Sequence, residues 1–191
     1  KMKYAVDAGI HRLEIGIQSI NDKTNWEIHG RAGLKKDVMR AMDMVSQYRN
    51  ELQINYDIIL DNPWEPEESV LETLQFMFTI PKPCTFAIFS LVPFPGTTQY
   101  EMAKKEGKLK DQERIIYNND MMFLKNDPLN TLITLYGKYK LPVPIIKFGI
   151  KVRKIPPFSY ILRNSTVPLW KLYNYYEGLK MHIQDRNYLR I

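Results

Sequence analysis

Two stretches of alternating polarity organise the first half of the chain. In Leu13-Glu14-Ile15-Gly16-Ile17-Gln18, the apolar residues Leu13, Ile15 and Ile17 alternate with Glu14, Gly16 and Gln18. In Gln53-Ile54-Asn55-Tyr56-Asp57-Ile58-Ile59-Leu60, the residues Ile54, Tyr56, Ile58 and Leu60 share one face, while Asn55 and Asp57 take the other. Side chains alternate faces along a strand. Each run therefore predicts a strand with one face for packing and one that carries polar groups towards its C-terminal end. A parallel strand covered by helices on both sides would be apolar throughout. Inward polar groups at strand C-termini are what a β/α barrel uses to build an active site.

Between and after these runs the period changes from two to 3.6. Leu34, Val38, Ala41, Met42, Val45 and Tyr48 mark one amphipathic helix, and Val70, Leu71, Leu74, Met77 and Phe78 another. Met2 to Ala8 reads as a helix end stopped by Gly9. Asn21 or Asp22 can cap a short helix that ends at Gly30, Pro66-Glu67-Glu68 opens the third helix, and Thr97 or Thr98 caps the fourth. Thr85 to Val92 completes a set of three strands. Strict alternation of strands and helices implies right-handed crossovers and a parallel α/β sheet. Three strands leave open edges and do not close a barrel, so the expectation is that the chain is the C-terminal part of something longer. After about residue 110 the alternation gives way to a proline-punctuated segment with helices expected near Leu129 to Tyr139 and Trp170 to Gln184. The expected division is an α/β unit over residues 1–110 and a mainly helical tail over 111–191.

Composition narrows the class. With 45% apolar and 25% charged residues the chain reads as a folded globular protein. No apolar run approaches the roughly 20 residues needed to span a bilayer. Cys84 is the single cysteine, which excludes an internal disulfide framework and any cluster held by several cysteines of this chain; a reducing cytoplasm is expected. The net charge of +6 is uneven: from Pro128 to Tyr176 there is no Asp or Glu, while Lys138, Lys140, Lys147, Lys151, Arg153, Lys154, Arg163 and Lys171 all lie there. This is either a solvated basic face or an anion-attracting one. Interleaved Phe148, Phe158, Tyr160 and Trp170 suit peripheral contact with a membrane better than a nucleic-acid groove.

Ala8-Gly9-Ile10-His11-Arg12-Leu13-Glu14-Ile15-Gly16-Ile17-Gln18-Ser19 with Gly30-Arg31 resembles the fourth strand and following loop of radical S-adenosylmethionine enzymes. Tyr56-Asp57-Ile58-Ile59-Leu60-Asp61-Asn62-Pro63 resembles their fifth strand. Ser90-Leu91-Val92-Pro93-Phe94-Pro95-Gly96-Thr97, with Ala103 and Gly107, resembles the sixth, in the form typical of the branch with an upstream cobalamin-binding domain. The resemblance covers residues 1 to 110 and implies strands four to six of a partial (β/α)6 TIM-like barrel. It also implies S-adenosylmethionine bound beside a [4Fe–4S] cluster, a 5′-deoxyadenosyl radical, and cobalamin in an upstream domain. The family's CxxxCxxC cluster ligands are missing here, so the chain alone is expected to be inactive.

By the same resemblance Gln18 and Arg31 match positions that bind the amino-acid end of S-adenosylmethionine, and Asp57 one that binds the ribose hydroxyls. Their chemistry suits those roles: an Arg fork pairs with a carboxylate, a carboxylate accepts from vicinal hydroxyls, and an amide both donates and accepts. Gln18 could instead bond loop backbone at the rim, and Arg31 could be a surface cation at a helix end. Asp57, among apolar neighbours, needs a partner in either case. Glu14 and Asn55 are expected to satisfy each other, Ser90 to be an ordinary strand hydroxyl, and Asp61 to be either a site residue or a turn-forming side chain. His11, His29 and His182 do not converge at ligand spacing, and Cys84 reads as a structural thiol. The rival readings are a non-catalytic domain that docks anions or membrane, and a TIM-barrel fragment acting on a phosphorylated metabolite. The substrate is expected to be a small or lipid-like molecule.

Overall fold

The computed structural model describes residues 2–32, 35–109 and 124–188, with the side chains of 177–188 excepted. Two compact units emerge, Lys1–Phe123 and Leu124–Ile191. The expected boundary near residue 110 abuts the segment 110–123, which lies outside the described residues.

In the first unit α1 (Met2–Asp7) precedes β1 (Arg12–Gln18). Gly9, at φ 93°, ends α1 by donating to the Val6 carbonyl, and the Ile10 N–H reaches back to the Ala5 carbonyl. This is the glycine-dependent helix stop that the sequence suggested. Then follow α2 (Asp22–Glu27), α3 (Lys35–Ser46), β2 (Gln53–Leu60), α4 (Glu67–Met77), β3 (Thr85–Ser90) and α5 (Thr98–Lys105). Asn21 caps α2 through the Thr24 N–H, and Thr97 caps α5 through the Tyr100 N–H. β3 stops two residues short of the expected Val92, before the proline loop.

The strands form one parallel sheet in the order β1-β2-β3. The expected barrel is not seen: among the described residues this is an α/β unit with an open three-stranded parallel sheet. Its apolar face is the core: Ile17, Ile54, Tyr56, Ile58, Leu60, Phe86 and Ile88 are all buried. Tyr56 pairs with Phe86 across the strands, their rings 6.2 Å apart. Burying one such side chain contributes about 1.5–3 kcal/mol, so this face sets the register. The opposite face carries Glu14, Gly16, Asn55, Asp57 and Thr85, in neighbouring registers.

The second unit comprises α6 (Pro128–Gly137), α7 (Val143–Val152) and α8 (Phe158–Tyr188). Asp127 caps α6 by accepting from the Leu129 and Asn130 N–H groups. Thr131 donates to the Leu162 carbonyl at 2.6 Å and meets the Thr166 hydroxyl at 2.7 Å, tying α6 to α8. α7 lies between the two expected tail helices, where the sequence pattern predicts none. Its prolines act as starts rather than breaks: Pro142 is the N-cap and Pro144 falls in the first turn, where the missing N–H has no helical partner to lose. Pro168 lies inside α8, which begins well before the expected Trp170.

Candidate functional site

β1 and β2 run side by side and in parallel, with Gly16 opposite Asp57. After Gly16 the register slips, so that Gln18 stands opposite Ile58 with its backbone at φ 64°. A non-glycine residue in this region is uncommon, and such departures cluster at functional sites. The Gln18 side chain nevertheless returns over Gly16: a Cβ built on Gly16 would lie 2.6 Å from Gln18 Nε2. The same Cβ would lie 3.1 Å from an Arg31 guanidinium nitrogen. Any side chain there would push both groups aside, so the glycine lets them close over this point undisturbed.

Arg31 reaches this point from the loop after α2, donating from Nη1 to the Gly16 carbonyl at 2.7 Å. A guanidinium has five donors, so one bond to backbone orients the fork without exhausting it. Gln18 Oε1 is buried and finds no hydrogen-bond donor among the described residues. Gly16, Ile17, Asn25, Arg31, Ala32 and Val38 line a cleft of about 190 Å³. Ordinary small-molecule pockets measure roughly 300–1,000 Å³, so this cleft admits one end of such a ligand.

Asp57 accepts from Asn55 Nδ2 at 2.8 Å, and Asn55 Oδ1 accepts in turn from the Thr85 hydroxyl at 2.9 Å. Burial pushes the Asp57 carboxyl above its ordinary value, the nearby Glu14 charge adds to this, and Arg12 opposes it. Glu14 itself accepts from Arg12 at 2.6 Å. The expected Glu14–Asn55 pairing is therefore corrected: both lie on the polar face in register, but each is satisfied elsewhere. Ser90 donates to Asp61 at 2.7 Å, and Asp61 sits at φ 60°. Asn62 forms a turn next to it, its Oδ1 accepting from the Trp64 N–H at 3.0 Å.

Asn25 is a site residue that the sequence pattern does not mark. It is 3% exposed, lines the cleft, and donates from Nδ2 to the Ser19 carbonyl. That bond fixes the amide's orientation, and Oδ1 is left with no donor among the described residues. Its signal in the sequence was only a polar residue on the inner side of a very short helix. His29 is half-buried, and burial together with Arg31 holds its pKa below the ordinary value. His11 is exposed, and the His182 side chain lies outside the described residues. Cys84 is buried and in no disulfide. Among the described residues no group of three or more His, Cys, Asp or Glu side chains could hold a metal ion, and no helix is long and apolar enough to cross a membrane.

No protein-family model matches the chain. It is 26% identical over 140 residues to the ribosomal protein uS12 methylthiotransferase RimO of Clostridium kluyveri, a match covering 72% of this chain and 30% of that protein. The match thus spans less than a third of the relative's length.

Proposed function

We propose that this chain supplies part of the S-adenosylmethionine site of a radical S-adenosylmethionine enzyme. The likeness to a methylthiotransferase supports the superfamily at that coarse level. The observation that carries the reading is the convergence at Gly16: the Gln18 amide and the Arg31 fork close over it, and Asp57 stands opposite it on the next strand.

The residues fit the ligand chemically. The methionyl end is a zwitterion, and Arg31 offers a fork for its carboxylate. Gln18 Oε1 and Asn25 Oδ1 are buried acceptors without a donor among the described residues, a cost of about 1–3 kcal/mol each unless a donor arrives. An ammonium group is such a donor. Asp57, held by Asn55 on one oxygen, can accept from ribose hydroxyls with the other. Gly16 leaves the floor of the cleft open, where a Cβ would press on Gln18 and Arg31. When bound, S-adenosylmethionine beside a reduced [4Fe–4S] cluster supplies a carbon radical able to abstract hydrogen. The cluster's ligands are not among the residues of this chain, whose one cysteine is buried. Assignment to the cobalamin-associated branch rests on the Ser90–Thr97 motif, and a reducing cytoplasm suits this chemistry.

Calorimetric titration of the cluster-loaded full-length enzyme with S-adenosylmethionine tests the site. Gly16→Val should abolish measurable binding while the cluster absorbance is retained. Unchanged affinity in Gly16→Val, Arg31→Ala and Asp57→Ala, with fold and cluster intact, would overturn the assignment.

A further inference from the structure

The second unit carries a surface that the ligand reading leaves unused. Around the axis of α7, at about 100° per residue, three sectors separate. Ile146 is fully buried, and Gly149 lies so close to α6 that a Cβ there would stand 2.5 Å from a Leu132 methyl. That is the packed side. Ile145 and Phe148 point away from it and are 53% and 57% exposed. Lys147 and Lys151, one turn apart and both exposed, border the apolar sector. Beyond the helix Ile155 is exposed, and on α8 Phe158 and Ile161, three residues apart and so on one side of the helix, are exposed too. The Phe148 and Phe158 rings meet edge to face with centroids 6.2 Å apart, which joins the two helices' apolar residues into one patch.

Single exposed apolar side chains need no explanation, but a contiguous patch bordered by cations does. Charge decides what covers it. From Pro128 to Tyr176 the chain has eight Lys and Arg and no Asp or Glu. A second copy of the same face would bring like charges together, and nothing acidic within that stretch could offset them. A purely polyanionic partner would match the lysines and leave the aromatic and aliphatic groups in water. One surface offers both an apolar medium and negative charge at its border.

We propose that this face of α7 and the start of α8 docks onto an anionic lipid bilayer. Ile145, Phe148, Ile155, Phe158 and Ile161 enter the boundary between headgroups and acyl chains. Lys147 and Lys151 lay their stems along the apolar patch and place their ammonium groups against lipid phosphates. The docking is independent of the ligand site, and neither its success nor its failure bears on that reading.

The test is flotation of the full chain with vesicles of phosphatidylcholine alone and of phosphatidylcholine mixed with phosphatidylglycerol, at low and high salt. The chain should float with the anionic vesicles and dissociate as salt shortens the screening length. Lys147→Gln/Lys151→Gln should weaken this binding roughly thirtyfold, since each cation near the surface contributes about a factor of five to six. Phe148→Ser should weaken it as well. All three residues are exposed, and circular dichroism checks that the helices persist. Equal binding to neutral and anionic vesicles, no binding to either, or binding indifferent to the lysine pair would overturn the proposal. So would self-association in sedimentation that Phe148→Ser abolishes while vesicles go unbound.

Discussion

The two units place polarity in opposite ways. In Lys1–Phe123 the apolar side of the sheet is covered, and polar groups are gathered on the other side, around Gly16 and Asp57. In Leu124–Ile191 buried hydroxyls such as Thr131 and Thr166 are stitched between helices, and several large apolar residues are turned outward. The first arrangement presents fixed hydrogen-bonding groups at atomic spacing, which is what a small polar ligand reads. The second presents area and charge without fixed partners, which is what an extended surface reads. One chain thus carries two recognition strategies, and they can be broken separately.

The largest expected effect falls on the second unit's core. Trp170 is 2% exposed and has Lys138 5.4 Å over its ring. Trp170→Ala should cost about 3–5 kcal/mol, enough to unfold a marginal helical unit. Residue-resolved amide exchange should then show loss of protection in α6 to α8 with β1 to β3 still protected. Loss of protection throughout would merge the two units into one cooperative body.

Next comes the ligand side. Asp57→Ala should weaken S-adenosylmethionine binding by the worth of one charged hydrogen bond, about 1.5–3 kcal/mol, or roughly ten- to hundredfold. Arg31→Lys should fall between wild type and Arg31→Ala, because an ammonium keeps the charge and loses the fork. Titration of the cluster-loaded enzyme measures both. An Arg31→Lys variant equal to wild type would reduce Arg31 to a point charge and dissolve the contrast between fixed and diffuse recognition.

Comparable in size but structural is Gly149→Ala. Its added Cβ would collide with Leu132, and overpacking of this kind costs about 1–3 kcal/mol. A thermal scan should show the loss in the second unit, with no change in ligand affinity.

The smallest effect concerns pH. Because burial raises the Asp57 pKa, the folded state binds that proton more tightly than the unfolded chain. Stability from this group is therefore greatest below the unfolded value near 3.9 and declines as pH rises through the raised folded value. Glu65, raised by burial against the opposing hydroxyls of Ser19 and Thr24, acts in the same direction. Asp57→Asn keeps an acceptor for Asn55 and removes the charge. Its thermal midpoint should exceed that of wild type at neutral pH, with the gap closing towards pH 3. A gap that widens towards acid would reverse the sign and mean that Asp57 is stabilised as the anion.

What could be read along the chain was whatever depends on neighbours in sequence. Alternation in Ile54–Leu60 marked the face to be covered, and Gly9, Asn21 and Thr97 marked helix ends, because caps and faces are set within a few residues. Even there a local signal misled at Pro142 and Pro144, since proline breaks a helix interior and suits a first turn equally well. Partner choice was beyond reach. Glu14 and Asn55 share a face and a register, yet Arg12, two residues along the strand, took Glu14, while Asp57 and Thr85 took Asn55. Asn25 became a candidate ligand only because folding delivered the Ser19 carbonyl to its amide and left its oxygen facing none. Gly16 follows the same rule: its sequence position is one step in an alternation, but its role comes from Gln18 and Arg31 arriving over it, one by a register slip and the other from a loop fifteen residues away. Sequence determines which groups a face presents. Only the tertiary structure, through contacts between segments far apart in the chain, decides which of those groups are satisfied and which are left open for a ligand.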